Sequence, residues 1–391
     1  MRTYSESNEE ALRARSLLRD WAGEGFLNEA QYKRMEQETV CDLRRTNIFL
    51  RVVMFFFTVI VVVAVVGLLF LMFDAGSSQP SGVLFLVFAA ISYAAAEKSA
   101  SRGLYRHGIE EAFAVCSVGL GCLGLFVFLD RSDGTEFLIP TLGALSSLWI
   151  WHRFGLAYVF VAAMIFVAWL ATSIADSHSG QHLFVAAVYT VGLIGAAAVR
   201  GRYRLTYLKE RYSIAEALLW LGIYLAFNLQ LSSADLLREW LDVHTSMGDF
   251  AGTFYWITWG LTWCIPPVVL YRGIRTKDRY VMAVGGITMI LTLVTNKAYL
   301  GWPRHTWDPM LLGTLLIGVA ILLQRWLAKG ENGIRNGFTA QRLSGNDKGR
   351  MSAVSVAFGL AAPQATSVNP EASDFHFGGG SSGGGGASGE F

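Results

Sequence analysis

The sequence predicts an all-α fold: a polytopic helical membrane bundle of about ten transmembrane helices, with a small cytoplasmic helical hairpin before it and a disordered tail after it. Three observations carry this. Long apolar runs recur along the chain, and a helix needs about 20 apolar residues to cross a bilayer. Charged residues make up only 16% of the chain, against about 25% in soluble proteins. Lys and Arg gather in every second loop, as the positive-inside rule requires. Unbroken apolar runs without dyad alternation exclude a membrane β-barrel.

Residues 1–47 read as the hairpin. Leu12, Leu17, Leu18 and Trp21 fall at helical spacing. "GEGF" ends that helix, with Gly23 and Gly25 suited to a helix terminus. Asn28 followed by Gln31 three residues on is a capping-box arrangement that opens a second helix. Along it Tyr32, Met35, Thr39 and Leu43 align. A hairpin this small buries little by itself, so it needs packing on itself, on a second copy or on the cytoplasmic loops. The polar N-terminus lacks the short apolar core and cleavage site of a secretory signal, so the first span serves as the insertion signal.

Residues 48–328 form the membrane domain. The periodicity and apolar length predict spans over 52–73, 81–96, 111–129, 136–151, 154–173, 182–199, 213–229, 253–271, 280–296 and 309–327. The second and fourth are short, which suits tilt or a re-entrant pair. Arg44 and Arg45 precede the first span. Lys98, Arg102 and Arg106 follow the second, and Arg153 the fourth. Arg200, Arg202, Arg204, Lys209 and Arg211 follow the sixth; Arg272, Arg275, Lys277 and Arg279 the eighth; Arg325 and Lys329 the tenth. The opposite loops hold only Arg131, Arg238, Lys297 and Arg304. Both termini are therefore expected in the cytoplasm. Dropping an adjacent pair of weak spans preserves this parity, so eight spans satisfy it too.

The segment "LLRDWAGEGFLNEAQYKRMEQE" resembles the N-terminal signature of a family of bacterial membrane proteins, domain of unknown function 2157. Leu17, Leu18, Trp21, Gly25, Phe26, Leu27, Asn28 and Gln31 carry the resemblance. It implies a bacterial inner-membrane protein with a hairpin ahead of many spans, and it implies no activity.

Residues 329–391 turn polar and then low in complexity, ending "FHFGGGSSGGGGASGEF". Such runs also arise as cloning remnants; the tail is read as the chain's own. It is similar to the Gly/Ser tails of some TPM-domain membrane proteins, although it ends in Phe391 rather than Ser-Trp. An inert solubilising tail and a partner tag bound through Phe391 are both consistent with it. On the hairpin, Trp21, Phe26 and Leu27 are the candidate partner-binding residues.

A net charge of +2 gives no reason to expect nucleic acid as a partner. The four cysteines show neither CxxC nor Cys/His ligand spacing. Phosphate-loop, dinucleotide, HExxH and GxSxG motifs are absent, so no cofactor and no standard catalytic constellation is expected.

Polar groups inside spans are functional candidates. Glu97, Glu110, Glu111 and Glu216 lie near cytoplasmic span ends, where they suit interface anchors. Asn228, Gln230 and Asn296 lie near outer ends, and no charge lies at mid-membrane. Pro266 and Pro267 predict a helix break in the eighth span, the device that builds transporter sites. The outer segment "TNKAYLGWPRHTWDP" gathers Lys297, Tyr299, Trp302, Arg304, His305, Trp307 and Asp308. These residues suit an anion site walled by aromatics, or an aromatic belt at the lipid headgroups. Asp176, His178 and His182 form a weak metal-ligand spacing. "SSADLLREWLDVH" before the eighth span reads as an interfacial helix.

The leading expectation is a non-enzymatic scaffold or sensor that lies in the lipid bilayer and meets a protein partner through its hairpin or tail. The alternatives are a transporter of a small, perhaps anionic solute, and an intramembrane enzyme acting on a lipid-linked substrate near His305 and Asp308.

Overall fold

The computed structural model describes residues 3–23, 25–39, 43, 46–72, 78–129, 134–202, 208–232, 252–303, 305–330, 334–335 and 338–339. Helices dominate: α1 (Glu6–Gly23), α2 (Glu29–Glu38), α3 (Ile48–Met72), α4 (Ser78–Ser101), α5 (Ile109–Phe128), α6 (Thr135–Phe154), α7 (Ala157–Ile174), α8 (His178–Arg202), α9 (Leu208–Phe227), α10 (Leu229–Ser232), α11 (Gly252–Thr276), α12 (Arg279–Tyr299) and α13 (Asp308–Ala328). Two short strands, β1 (Ile334–Arg335) and β2 (Phe338–Thr339), pair antiparallel after α13.

Seven described helices are long and apolar enough to cross a membrane: α3, α4 from Pro80, α5, α7, α8, α12 and α13. Their apolar side chains point outward in number, as lipid permits and water does not. The chain is thus a multi-pass helical membrane protein. α6, α9 and α11 are of similar length but are not among these seven. α4 has 24 residues and α6 has 20, so neither is the short segment the sequence predicts. Their polar ends extend the helices beyond the apolar cores.

Lipid tails are as apolar as Leu, so close packing rather than burial from water holds such helices together. The chain meets this with small residues. A Cβ on Gly82 of α4 would lie 2.6 Å from the backbone of Phe128 on α5. One on Gly124 would lie 3.0 Å from the Gly82 carbonyl oxygen. Only glycine lets these two backbones approach so closely.

Two cores result. Ala96 and Ala100 of α4, Ala114 and Val118 of α5, Ile150 and Phe154 of α6 and Val159 of α7 form the first. The second joins Phe160 of α7, Tyr189 and Leu193 of α8, Leu219, Ile223 and Tyr224 of α9, Ile265 and Val269 of α11, and Val281 and Val284 of α12. α13 has no buried residue among those described.

α2 opens with the expected capping box. Asn28 Oδ1 accepts from the Gln31 N–H at 2.7 Å, and Gln31 Oε1 accepts from the Asn28 N–H at 3.0 Å. The segment before α1 enters the body: Tyr4 is buried in the first core and its hydroxyl donates to the Leu104 carbonyl at 2.9 Å.

Candidate functional site

The Pro266–Pro267 break does not form: α11 runs unbroken from Gly252 to Thr276. Pro266 has no N–H for the Thr262 carbonyl four residues back. Thr292 of α12 supplies the missing donor, its Oγ1 lying 2.9 Å from that oxygen. The freed acceptor is therefore met inside the bundle rather than presented to a solute.

The chain is interrupted elsewhere, at Asn228 between α9 and α10. The groups freed there are held by neighbouring helices. His182 Nδ1 of α8 donates to the Ala226 carbonyl at 2.7 Å. The Tyr299 hydroxyl accepts from the Leu229 N–H at 2.7 Å and donates to the Phe227 carbonyl at 3.2 Å. Asn228 Nδ2 donates to the Tyr224 hydroxyl at 2.8 Å and to Thr295 Oγ1 at 3.1 Å. Tyr224 in turn bonds Thr292 Oγ1 at 2.9 Å. A buried seam of hydroxyls and one amide thus binds α9, α11 and α12.

This divides the outer cluster expected around residues 297–308. Tyr299 faces inward, at the Asn228 interruption. Lys297 Nζ bonds Asp308 Oδ1 at 2.5 Å and lies 5.6 Å from the Trp307 ring centre. Asp308 Oδ2 accepts from the His305 N–H at 3.0 Å, and the His305 ring stacks on Trp307. Both carboxylate oxygens and the ammonium are thereby engaged within the loop, which ties the end of α12 to the start of α13. Trp302 is exposed. Arg304 and the segment read as an interfacial helix lie outside the described residues.

The metal spacing gathers no site. His182 Nδ1 is spent on Ala226, Asp176 is exposed, and no group of three metal-ligating side chains occurs among the described residues.

Of the four carboxylates read as interface anchors, Glu97, Glu111 and Glu216 are ion-pair partners between helices. Arg51 of α3 grips Glu111 of α5 with two bonds, of 2.6 and 3.0 Å. Arg153 of α6 grips Glu97 of α4 likewise, at 2.7 and 3.0 Å. Arg200 Nη1, buried at the end of α8, meets Glu216 at 2.5 Å and Asp278 at 2.7 Å. Arg272 Nε adds a bond to Glu216 at 3.1 Å. Glu210 of α9 receives Arg279 and Tyr280 of α12 at 2.7 and 2.6 Å, and Arg13 of α1 lies 3.5 Å away. Arg153, Arg200, Arg272 and Arg279 belong to the basic clusters that set the charge bias, so one charge pattern serves both orientation and assembly.

On the N-terminal pair of helices, Trp21 and Phe26 are exposed, with Leu17 and Met35 exposed beside them in sequence; Leu27 is half-buried. Phe391 lies outside the described residues. Sequence reasoning missed Tyr4, whose phenol burial pushes above its ordinary range, and the His182–Ala226 tie. No local sequence pattern marks either.

Fold and sites together define a multi-pass helical membrane protein stitched by buried polar contacts. No protein-family model matches the chain, and no curated protein and no solved structure is significantly similar to it.

Proposed function

We propose that this is a ten-span protein of the bacterial inner membrane that works as a scaffold or sensor, with both termini in the cytoplasm. The crossings beyond those seven helices would be α6, α9 and α11. Their polar residues are spent inside the bundle, on Arg153–Glu97, on Glu216 and on the Thr262–Thr292 contact. A central helix needs less apolar surface than one bathed in lipid. The observation that carries the role is the exposure of Trp21 and Phe26 on a helix pair rooted in the membrane body by Tyr4. Exposed aromatics on an anchored unit suit a protein partner. A photo-crosslinking residue at position 26, in cells, is expected to give one discrete protein adduct that the Trp21→Ala exchange weakens. Absence of any adduct at 21 and 26 would overturn the reading.

A second reading, transport of a small solute, is favoured by the polar seam through α9, α11 and α12. It predicts that Asn228→Ala lowers uptake of some solute while the folded protein persists. Unchanged uptake across a panel of sugars, amino acids and organic anions would count against it.

A further inference from the structure

The N-terminal arm lies beside a buried carboxyl group with one oxygen unsatisfied. Glu110 opens α5 and is buried, at 2% exposure. Its Oε1 accepts from the His107 backbone N–H at 2.7 Å, while Oε2 is shut from solvent with no hydrogen-bond partner. One and two turns along the same helix face stand Ala114 and Val118. Those residues share one buried core with Ala96, Ala100 and Tyr4, and the Glu110 carboxyl group is an electrostatic neighbour of the Tyr4 phenol. Tyr4 therefore stands beside the sealed carboxyl group. The nearby charges are already committed. Arg51 of α3 grips Glu111, and Arg153 of α6 grips Glu97. The other titratable groups facing the pocket are His107 and Tyr105 from the loop before α5, Tyr158 of α7 beside Glu111, and the buried Glu9 of α1, whose charge acts on Tyr4.

We propose that the N-terminal arm is a proton-controlled latch, seated while Glu110 carries a proton and released when Glu110 ionises. This rests on the sensor reading and gives it a signal. An ionised oxygen sealed from water and unpaired is strongly disfavoured. Release of Tyr4 admits water to the carboxylate. The seated state therefore holds one proton more than the open state, and rising pH favours opening.

The test uses the full chain in lipid nanodiscs without any partner, so its outcome is independent of the crosslinking above. Cys41, Cys116, Cys122 and Cys264 are replaced, and a nitroxide is placed at the exposed position of Ser7 through Ser7→Cys. Its spectrum is expected to show slow motion near about pH 5.5 and a growing fast component near about pH 8.5, on either side of neutrality. Glu110→Gln should stay slow at both, and Tyr4→Ala fast at both. Should Glu110→Gln misfold, Glu110→Met serves in its place. His107→Gln should keep the response. A spectrum insensitive to pH, a response surviving both Glu110 exchanges, or one lost with His107→Gln would each overturn the latch.

Discussion

The hydroxyl of Thr292 on α12 lies 2.9 Å from the carbonyl of Thr262 on α11, the acceptor that Pro266 leaves without its helical donor. Thr292 Oγ1 also lies 2.9 Å from the Thr288 carbonyl and 2.9 Å from the Tyr224 hydroxyl, which accepts from Asn228 Nδ2. Thr292 thereby joins the carbonyls of both helices to the Asn228 amide. Thr292→Val keeps the shape and deletes the link. Two buried groups then lack partners, at a cost of about 1–3 kcal/mol. The variant should unfold at a lower temperature in detergent, and Thr292→Ser should recover most of the loss. Thr314→Val, on the unburied α13, should change nothing measurable.

The arginine pairs divide by geometry. Arg200 reaches both Glu216 and Asp278 through the single nitrogen Nη1. A lysine ammonium can occupy that point, so Arg200→Lys should retain most stability. Arg200→Met should cost roughly 3–5 kcal/mol, because buried Asp278 loses its cation and Glu216 keeps only Arg272. Arg51 instead uses two nitrogens on two oxygens of Glu111. Lysine cannot reproduce that fork, so Arg51→Lys should fall well short of the native melting temperature. Equal rescue by lysine at both sites would contradict this account.

The positions of long helices were legible in the sequence because apolar length is a direct consequence of bilayer thickness. The α2 cap was legible because its chemistry is local, four residues from Asn28 to Gln31. What was not legible was pairing at a distance. Glu216 carries no local sign that Arg200, Arg272 and α12 converge on it. Proline marks a missing donor, yet only the fold shows Thr292 filling the gap. The interruption at Asn228 has no breaker residue; it is sustained by Tyr299 and His182 from other helices. The strand pair β1–β2 did have a signal, the Asn-Gly dipeptide at 336–337 between its halves. Tyr4, ahead of the periodic residues of α1, had none.

Exposure at Trp21 and Phe26 leads to an expectation opposite to that for the core. A Trp21→Ala, Phe26→Ser double variant should keep stability within about 0.5 kcal/mol, because neither side chain is buried against the body. Tyr4→Ala should by contrast lower the melting temperature, since it empties a place in a buried core and removes the contacts to Leu104 and Tyr105. A large loss from the surface pair would place it in the fold rather than at an interface.

Sidedness separates ten crossings from seven. If α6, α9 and α11 all cross, Ser101 and Lys277 share one side, and Asp176 and Thr306 lie on the other. If only the other seven helices cross, Ser101 keeps its side while Asp176, Lys277 and Thr306 all change sides. That arrangement would also export the loops following Arg200 and Arg272, against the charge bias. It would further place Arg153 and Glu97, which pair with each other, on opposite sides of the membrane. All four positions except Ser101 are non-helical, and all four are exposed. Single cysteines there, in a background lacking the native four, can be labelled with a membrane-impermeant maleimide in spheroplasts and in inverted vesicles. Ten crossings predict labelling of positions 176 and 306 in spheroplasts and of 101 and 277 only in inverted vesicles. Labelling of 277 in spheroplasts would remove an odd number of these three helices, α6, α9 and α11, from the membrane.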